Sequence, residues 1–352
     1  MINLTAPPAV AAPVFRRDAR LDALRGAALL LVILAHIPGV PDKLFQLRTF
    51  DVPLMAFCLG ASFAVSSLQR REAFGAYLYK RFIRLVVPAW VFGVLYLLLV
   101  HLTAGETFTG GKLLQCLFLL DDVGYIWVLR VFFAVALAAP LLGILARLGA
   151  GHWAGRLWVL AGLVGAQALL LLLGDRIAPP LVKSLFDQLV ATPFGYLPLA
   201  MLGVFAVSHR EKRDYAVYAV LTAALAALLC LWVSRYGLTF QAFKQPPRDG
   251  YLLWGLTASL GAFLVSSIPF VRGLLAKQAW IGWLSRHSIT LYFVHVFFLL
   301  LTQNLNLLWW VKYPLIVFFS VLAVSPVTEA LFYVKMYEAL VKGLGRRVFG
   351  RR

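Results

Sequence analysis

Residues 157–173 read LWVLAGLVGAQALLLLL, an uncharged run. Coiled as an α-helix at 1.5 Å per residue, it reaches about 26 Å, close to the ~30 Å hydrocarbon thickness of a bilayer. At that depth every backbone N–H and C=O must be satisfied within the protein, which a helix does by itself. The run also lacks the apolar–polar alternation of a barrel strand. Comparable stretches recur along the chain: Leu21–Val40, Val52–Leu68, Leu85–Thr103, Tyr125–Leu148, Pro193–Ser208, Tyr215–Val233, Tyr251–Phe270, Ile289–Leu301 and Leu307–Tyr333. The reading is an all-α integral membrane protein, a bundle of about ten transmembrane helices. The sixth and ninth segments are short and read equally as re-entrant or tilted.

Composition agrees. Of 352 residues, 62% are hydrophobic and 14% charged, whereas a soluble domain carries about 25% charged residues. Lys plus Arg number 33 against 15 Asp plus Glu, a formal charge of +18. That excess falls between apolar segments instead of in one patch, so no nucleic-acid partner is expected. With ten spans and a cytoplasmic N-terminus, 22 of the basic residues lie on the inner side and nine on the outer, with Arg25 and Arg130 inside spans. This is the bias of the positive-inside rule, and it places both termini in the cytoplasm. Residues 1–15 read as a flexible tail, 16–335 as one transmembrane domain and 336–352 as a basic cytoplasmic tail. The first apolar run carries His36 and Pro38 and lacks a small-residue exit, so it is not read as a cleaved signal peptide. Cys58, Cys116 and Cys230 have neither disulfide-framework nor metal-ligand spacing, and no metal is expected.

Chemistry concentrates in the first segment, Arg20-Leu-Asp22-Ala-Leu-Arg25-Gly26 running on to His36. Eleven positions return to nearly the same helix face about 16 Å further along, so Arg25 and His36 share a stripe. Ionisable side chains in a span cost roughly 3 kcal/mol each and read by default as functional. The alternative is that Arg25 snorkels and pairs with Asp22 while His36 bonds a backbone carbonyl. His36 near the outer end of the first helix and Asp51 near the outer start of the second form a possible imidazole–carboxylate base. Asp51 capping its helix ahead of Val52-Pro53 is the competing reading. Ser288, Tyr292 and His295 fall on one face, either lining the bundle interior or forming a structural hydrogen-bond cluster. Arg130, beside Trp127, would hold a substrate group or pair with Asp121 or Asp122.

These residues fall into motifs. Arg20-x-Asp22-x-x-Arg25-Gly26 with the Arg25–His36 spacing resembles the opening of the acyltransferase family 3 membrane proteins. Arg81-Phe-Ile-Arg84 followed by Pro88, Trp127-x-Leu129 with Pro140, and Ser288-Ile-Thr-Leu291-Tyr292-Phe-Val-His295 are similar to later motifs of that family, in the same order. Where many relatives carry acids in the fourth helix this chain has Phe132 and Phe133, and where many have His or Asn it has Asp51. The Arg17-Asp18-x-Arg20-Leu21-Asp22 opening is shared with a glycan-succinylating branch that the second helix fits less well.

The resemblance implies an inner-membrane O-acyltransferase without a permanently bound cofactor. The donor would be acyl-CoA, in the first instance acetyl-CoA, and the acceptor a hydroxyl on an extracytoplasmic polysaccharide, glycan or glycolipid. His36 would be the general base with Asp51 beside it. Arg25, Arg81 and Arg84 would meet the donor phosphates, to which guanidinium groups are suited. Arg130, Trp127, Tyr292 and His295 would contact substrate. A transporter or flippase using the same Arg and His side chains as a substrate or proton path is the rival, with a membrane scaffold as a third possibility.

Overall fold

The computed structural model describes residues 18–68, 73–104, 109–120, 125–209 and 211–325. Arg16, Arg17, Arg70, Arg71, Asp121, Asp122, Arg210, Glu329 and both proposed tails lie outside them. Regular structure among the described residues is helical throughout. In chain order the helices are α1 Ala19–Ala35, α2 Asp42–Ser66, α3 Phe74–Ala104, α4 Gly110–Leu117, α5 Trp127–Leu137, α6 Ala139–Leu148 and α7 Trp153–Gly174. They continue with α8 Pro180–Ser208, α9 Lys212–Tyr236, α10 Asp249–Ser267, α11 Pro269–Lys277, α12 Ala279–Arg286, α13 Ser288–Leu301 and α14 Trp309–Ala323.

Six of these, α2, α3, α7, α8, α9 and α10, are long and apolar enough to cross a membrane. The count rises to eight if the bent pairs α5/α6 and α12/α13 each form one span. The first pair bends by 53°. Pro140 in the first turn of α6 supplies the cause: it has no N–H to donate, and its ring crowds the carbonyl one turn back. The second pair bends by 75° at His287. Two expected spans begin earlier than their apolar runs. Segment six starts at Pro180 and passes through a π-helical turn at Asp187–Ala191. Segment two starts at Asp42 and includes a 3-10 turn at Arg48–Phe50.

Helices α2 and α8 are mostly buried, whereas α7 and α9 present most of their length outward. The outward faces carry Trp158, Leu169, Leu172, Val220 and Leu231, an apolar exterior suited to lipid. At the centre, α2 and α8 touch backbone to backbone. A Cβ on Gly60 would stand 1.8 Å from the Ala200 carbonyl oxygen, and one on Gly203 2.0 Å from that of Phe57. Small residues permit this approach, which replaces the hydrophobic drive that lipid removes.

Two buried cations tie the surrounding helices to one another. Arg20 binds the Asp18 carboxylate at 2.8 Å and donates to the Tyr215 hydroxyl and Ser267, joining α1, α9 and α10. Arg156 meets Asp214 at 3.0 Å, joining α7 to α9.

Candidate functional site

Helix α1 ends at Ala35, and His36 is its C-cap; the Pro38-Gly39 turn follows, with Gly39 at φ +81°. His36 therefore sits at a helix end with its ring turned into the bundle. Its Nδ1 lies 2.9 Å from Nε2 of His295, one of the fully buried side chains of α13. Nδ1 of His295 lies 3.3 Å from the Leu291 carbonyl. A carbonyl only accepts, so the proton on a neutral His295 is at Nδ1, and its Nε2 accepts from Nδ1–H of His36. A neutral His36 is left with its lone pair on Nε2, and the ring makes no other hydrogen bond among the described residues. A general base needs that configuration.

The partner that orients His36 is thus an imidazole and not the Asp51 carboxylate. Asp51 is committed elsewhere: Oδ2 to Arg48 at 2.7 Å, Oδ1 to the Val52 amide at 2.7 Å, and Oδ1 to Lys244 at 3.9 Å. Nor does Asp51 cap the helix: it follows the 3-10 turn inside α2, where no side-chain cap is made. Lys244, in the connection between α9 and α10, also lies over the Trp127 ring at 5.3 Å. Burial pushes the Lys244 pKa below the ordinary lysine value, against the pull of Asp51 and with a further push from Arg48.

A cavity of about 210 Å³ begins at Arg25, Arg81 and Arg84 and extends past Val32, Met55 and Phe132 to Ser288 and Tyr292. Arg25 is held in place by Ser62 and Ser285, each at 2.7 Å, and Ser285 in turn donates to Asp22. The Asp22 carboxylate is 3.6 Å from Arg25, so the Arg25–Asp22 pairing is present and Arg25 also lines the cavity. Arg81 lies over the Tyr77 ring at 5.1 Å, and Arg84 is exposed at the mouth. Tyr292 forms the far wall. Its ring stands edge-on to His295 at 5.6 Å, and its hydroxyl donates to the Tyr125 carbonyl. The Tyr125 ring covers His36 from the other side at 4.0 Å, with its backbone in the left-handed region at φ +66°.

The spacing of Ser288, Tyr292 and His295 therefore lines the interior: two residues wall the cavity and the third reaches His36. Arg130 takes a different place. It is buried on the face of α5 turned from the cavity, which Val128, Leu129 and Phe132 line. Its guanidinium donates to the Leu119 carbonyl at 3.0 Å and to Gln188 in the π turn of α8 at 3.1 Å. Trp127 supports Lys244 instead of lining the cavity. Phe132 makes an apolar wall of the cavity.

Sequence reasoning missed Arg48, Ser62, Ser285, Tyr125 and the ion pairing of Lys244. Ser62 and Ser66, one turn apart in an apolar segment, were the one local signal. The cysteines are free, with Cys58 and Cys116 buried and Cys230 exposed.

A family model described as an acyltransferase domain matches residues 18–329. Comparison with curated proteins and with solved structures gave no match.

Proposed function

The chain belongs to the acyltransferase 3 family, and on that premise we propose that it transfers an acyl group, in the first instance acetyl, from cytoplasmic acyl-CoA to a hydroxyl of an extracytoplasmic polysaccharide or glycan. The observation that carries this reading is the cavity, with three guanidinium groups at one end and at the other a tyrosine wall backed by His295, the imidazole that holds His36. In this reading ten helices span the inner membrane, α1 and α14 among them, with both termini cytoplasmic, in keeping with the positive-inside distribution.

At about 210 Å³ the cavity is smaller than the roughly 300–1,000 Å³ of sites that enclose a drug-sized ligand. It suits the thioester arm, while the nucleotide and its phosphates stay at the mouth with Arg81, Arg84 and Arg25. The Tyr292 ring turns aside for the thioester carbonyl to approach His36. Nε2 of His36 takes the acceptor hydroxyl proton, and the oxygen attacks the thioester carbonyl. As the C–S bond breaks, the imidazolium returns the proton to the leaving thiolate. His295 holds the base in the required tautomer. His36 acts as a neutral imidazole, so transfer declines as acid protonates it.

The test is to incubate the protein in lipid nanodiscs with labelled acyl-CoA species and candidate glycans, and to read product masses. His36→Ala with normal insertion should lower transfer by about 10²–10⁴-fold, the contribution of a positioned base. Substantial residual activity removes His36 from the mechanism. Flux of donor or acceptor across proteoliposomes without covalent change replaces the enzyme with a transporter.

A further inference from the structure

Arg48, Asp51 and Lys244 are three buried charges at the end of α1 opposite Arg25, two positive and one negative, with relative exposures of 2%, 1% and 8%. The single carboxylate is fully used. One oxygen takes Arg48, and the other takes the Val52 amide and faces Lys244. What remains is donor capacity: Nε of Arg48 is buried without a hydrogen-bond partner. Nζ of Lys244 makes no hydrogen bond among the described residues, its nearest carboxylate oxygen being 3.9 Å away. A buried excess positive charge with an unsatisfied N–H is costly unless an anion completes it. Neither cation lines the cavity that begins at Arg25, Arg81 and Arg84, so the missing anion is not a phosphate of the donor held there. Arg48 sits in the 3-10 turn that packs against α1, the helix whose C-cap is His36.

We propose that Arg48 and Lys244 bind an anionic group of the acceptor, a carboxylate or a phosphate ester carried near the hydroxyl that His36 deprotonates. The inference rests on the transfer reading and adds the acceptor's class to it: an acidic glycan. The bound anion also offsets the positive field that His36 meets as it takes up the proton, so it assists the step as well as the binding.

Two measurements on the full chain in nanodiscs test this. In the first, inorganic phosphate at constant ionic strength should raise the thermal midpoint of the wild type and not that of Lys244→Met, with Lys244→Arg responding like the wild type. In the second, transfer is compared between a uronic-acid oligosaccharide, its carboxylate-reduced neutral counterpart and a phosphorylated one. The lower KM of the two charged acceptors identifies which anion the site takes. Lys244→Met should raise the KM for that acceptor about tenfold or more, the scale of a lost hydrogen bond to a charged group. The KM values for the neutral acceptor and for acyl-CoA should not move. The proposal is overturned if phosphate protects neither protein, if the wild type does not distinguish charged from neutral acceptors, or if Lys244→Met slows both alike. Should Lys244→Met fail to insert, the wild-type comparisons decide alone. Transfer to all acceptors without charge preference removes this site and leaves the transfer reading standing. Phosphate protection lost in Lys244→Met without transfer to any acceptor does the reverse.

Discussion

Removing the His295 imidazole is the most informative perturbation of the site, because the proposed mechanism gives it a different task from that of His36. His295→Ala deletes the acceptor that lies 2.9 Å from Nδ1 of His36 and leaves that N–H facing an apolar void. An unsatisfied buried donor costs about 1–3 kcal/mol. The ring escapes the cost by rotating or by shifting its proton to Nε2, and either change removes the lone pair from the acceptor hydroxyl. If all of that cost appears in the transition state, kcat falls by about 5–150-fold, since 1.36 kcal/mol is tenfold in rate. The KM for acyl-CoA should stay unchanged, because Arg25, Arg81 and Arg84 are untouched. His295→Gln retains a carbonyl oxygen able to accept from Nδ1–H of His36 and should recover part of the loss. The assay is initial-rate transfer from labelled acyl-CoA, with insertion and thermal midpoint checked for each variant. If His295→Ala, properly inserted, is as inactive as His36→Ala, then His295 is itself the base. An unchanged kcat would mean that the pair does not set the tautomer.

Four further outcomes are expected. Gly203→Ala drives a methyl into the Phe57 carbonyl, 2.0 Å from the ideal Cβ, so the thermal midpoint should fall by the equivalent of at least 1–3 kcal/mol, roughly the cost of overpacking; an unchanged midpoint refutes the close α2–α8 crossing. Arg81→Ala and Arg84→Ala should each raise the KM for acyl-CoA several-fold, and neither should alter turnover with an acyl-pantetheine donor that lacks the nucleotide phosphates; equal effects on both donors rule out phosphate contact. Asp214→Ala leaves Arg156 buried without its 3.0 Å partner and should destabilise by about 3–5 kcal/mol, with the Arg156→Met, Asp214→Leu double variant recovering much of it in the same unfolding assay. Lys244, with its pKa depressed by burial and by Arg48 against the opposing pull of Asp51, loses its proton at a lower pH than an exposed lysine would. Preference for a charged acceptor should therefore weaken on the alkaline side, and Lys244→Arg should abolish that limb of the KM–pH profile.

The long apolar helices were legible because each announces itself locally, whereas the short α4, α11 and α12 were not. An uncharged run of sufficient length has few alternatives in a bilayer, and Pro140 marks the joint of the bent α5/α6 pair. Extensions past the apolar runs were not legible. Residues 180–192 carry Lys183 and Asp187, which lower the local hydropathy although the backbone continues as helix into Pro193–Ser208. The Ser288–Tyr292–His295 face could be read from helical periodicity, since residues on one face meet one environment. Pairing of that face with His36 could not. His36 and His295 are 259 positions apart, and no local pattern shows that α13 brings its imidazole to the end of α1. Arg20 and Arg156 show the same limit. Their positions fit the positive-inside rule, which describes where cations occur and is silent on the Tyr215, Ser267 and Asp214 side chains that bury them.

The partner sequence reasoning chose for His36 was chemically reasonable, and the reason it was displaced bears on how such a base can exist here. An imidazole–carboxylate pair carries a net negative charge at rest, and holding that charge in a low-dielectric interior requires compensation. In this fold the compensation is direct: Arg48 and Lys244 hold the Asp51 carboxylate apart from the base. The proposed base is then built from two neutral imidazoles, which need only hydrogen bonds, supplied by one another and by the Leu291 carbonyl. Charge next to a resting neutral pair biases the proton-transfer step without being consumed in it. The acceptor's own charge, entering beside Arg48 and Lys244, can set that bias when substrate is present and release it when substrate leaves. In the proposed arrangement the two cations that would recognise the acceptor would also hold the base in check in its absence, which would restrain hydrolysis of the donor thioester by water.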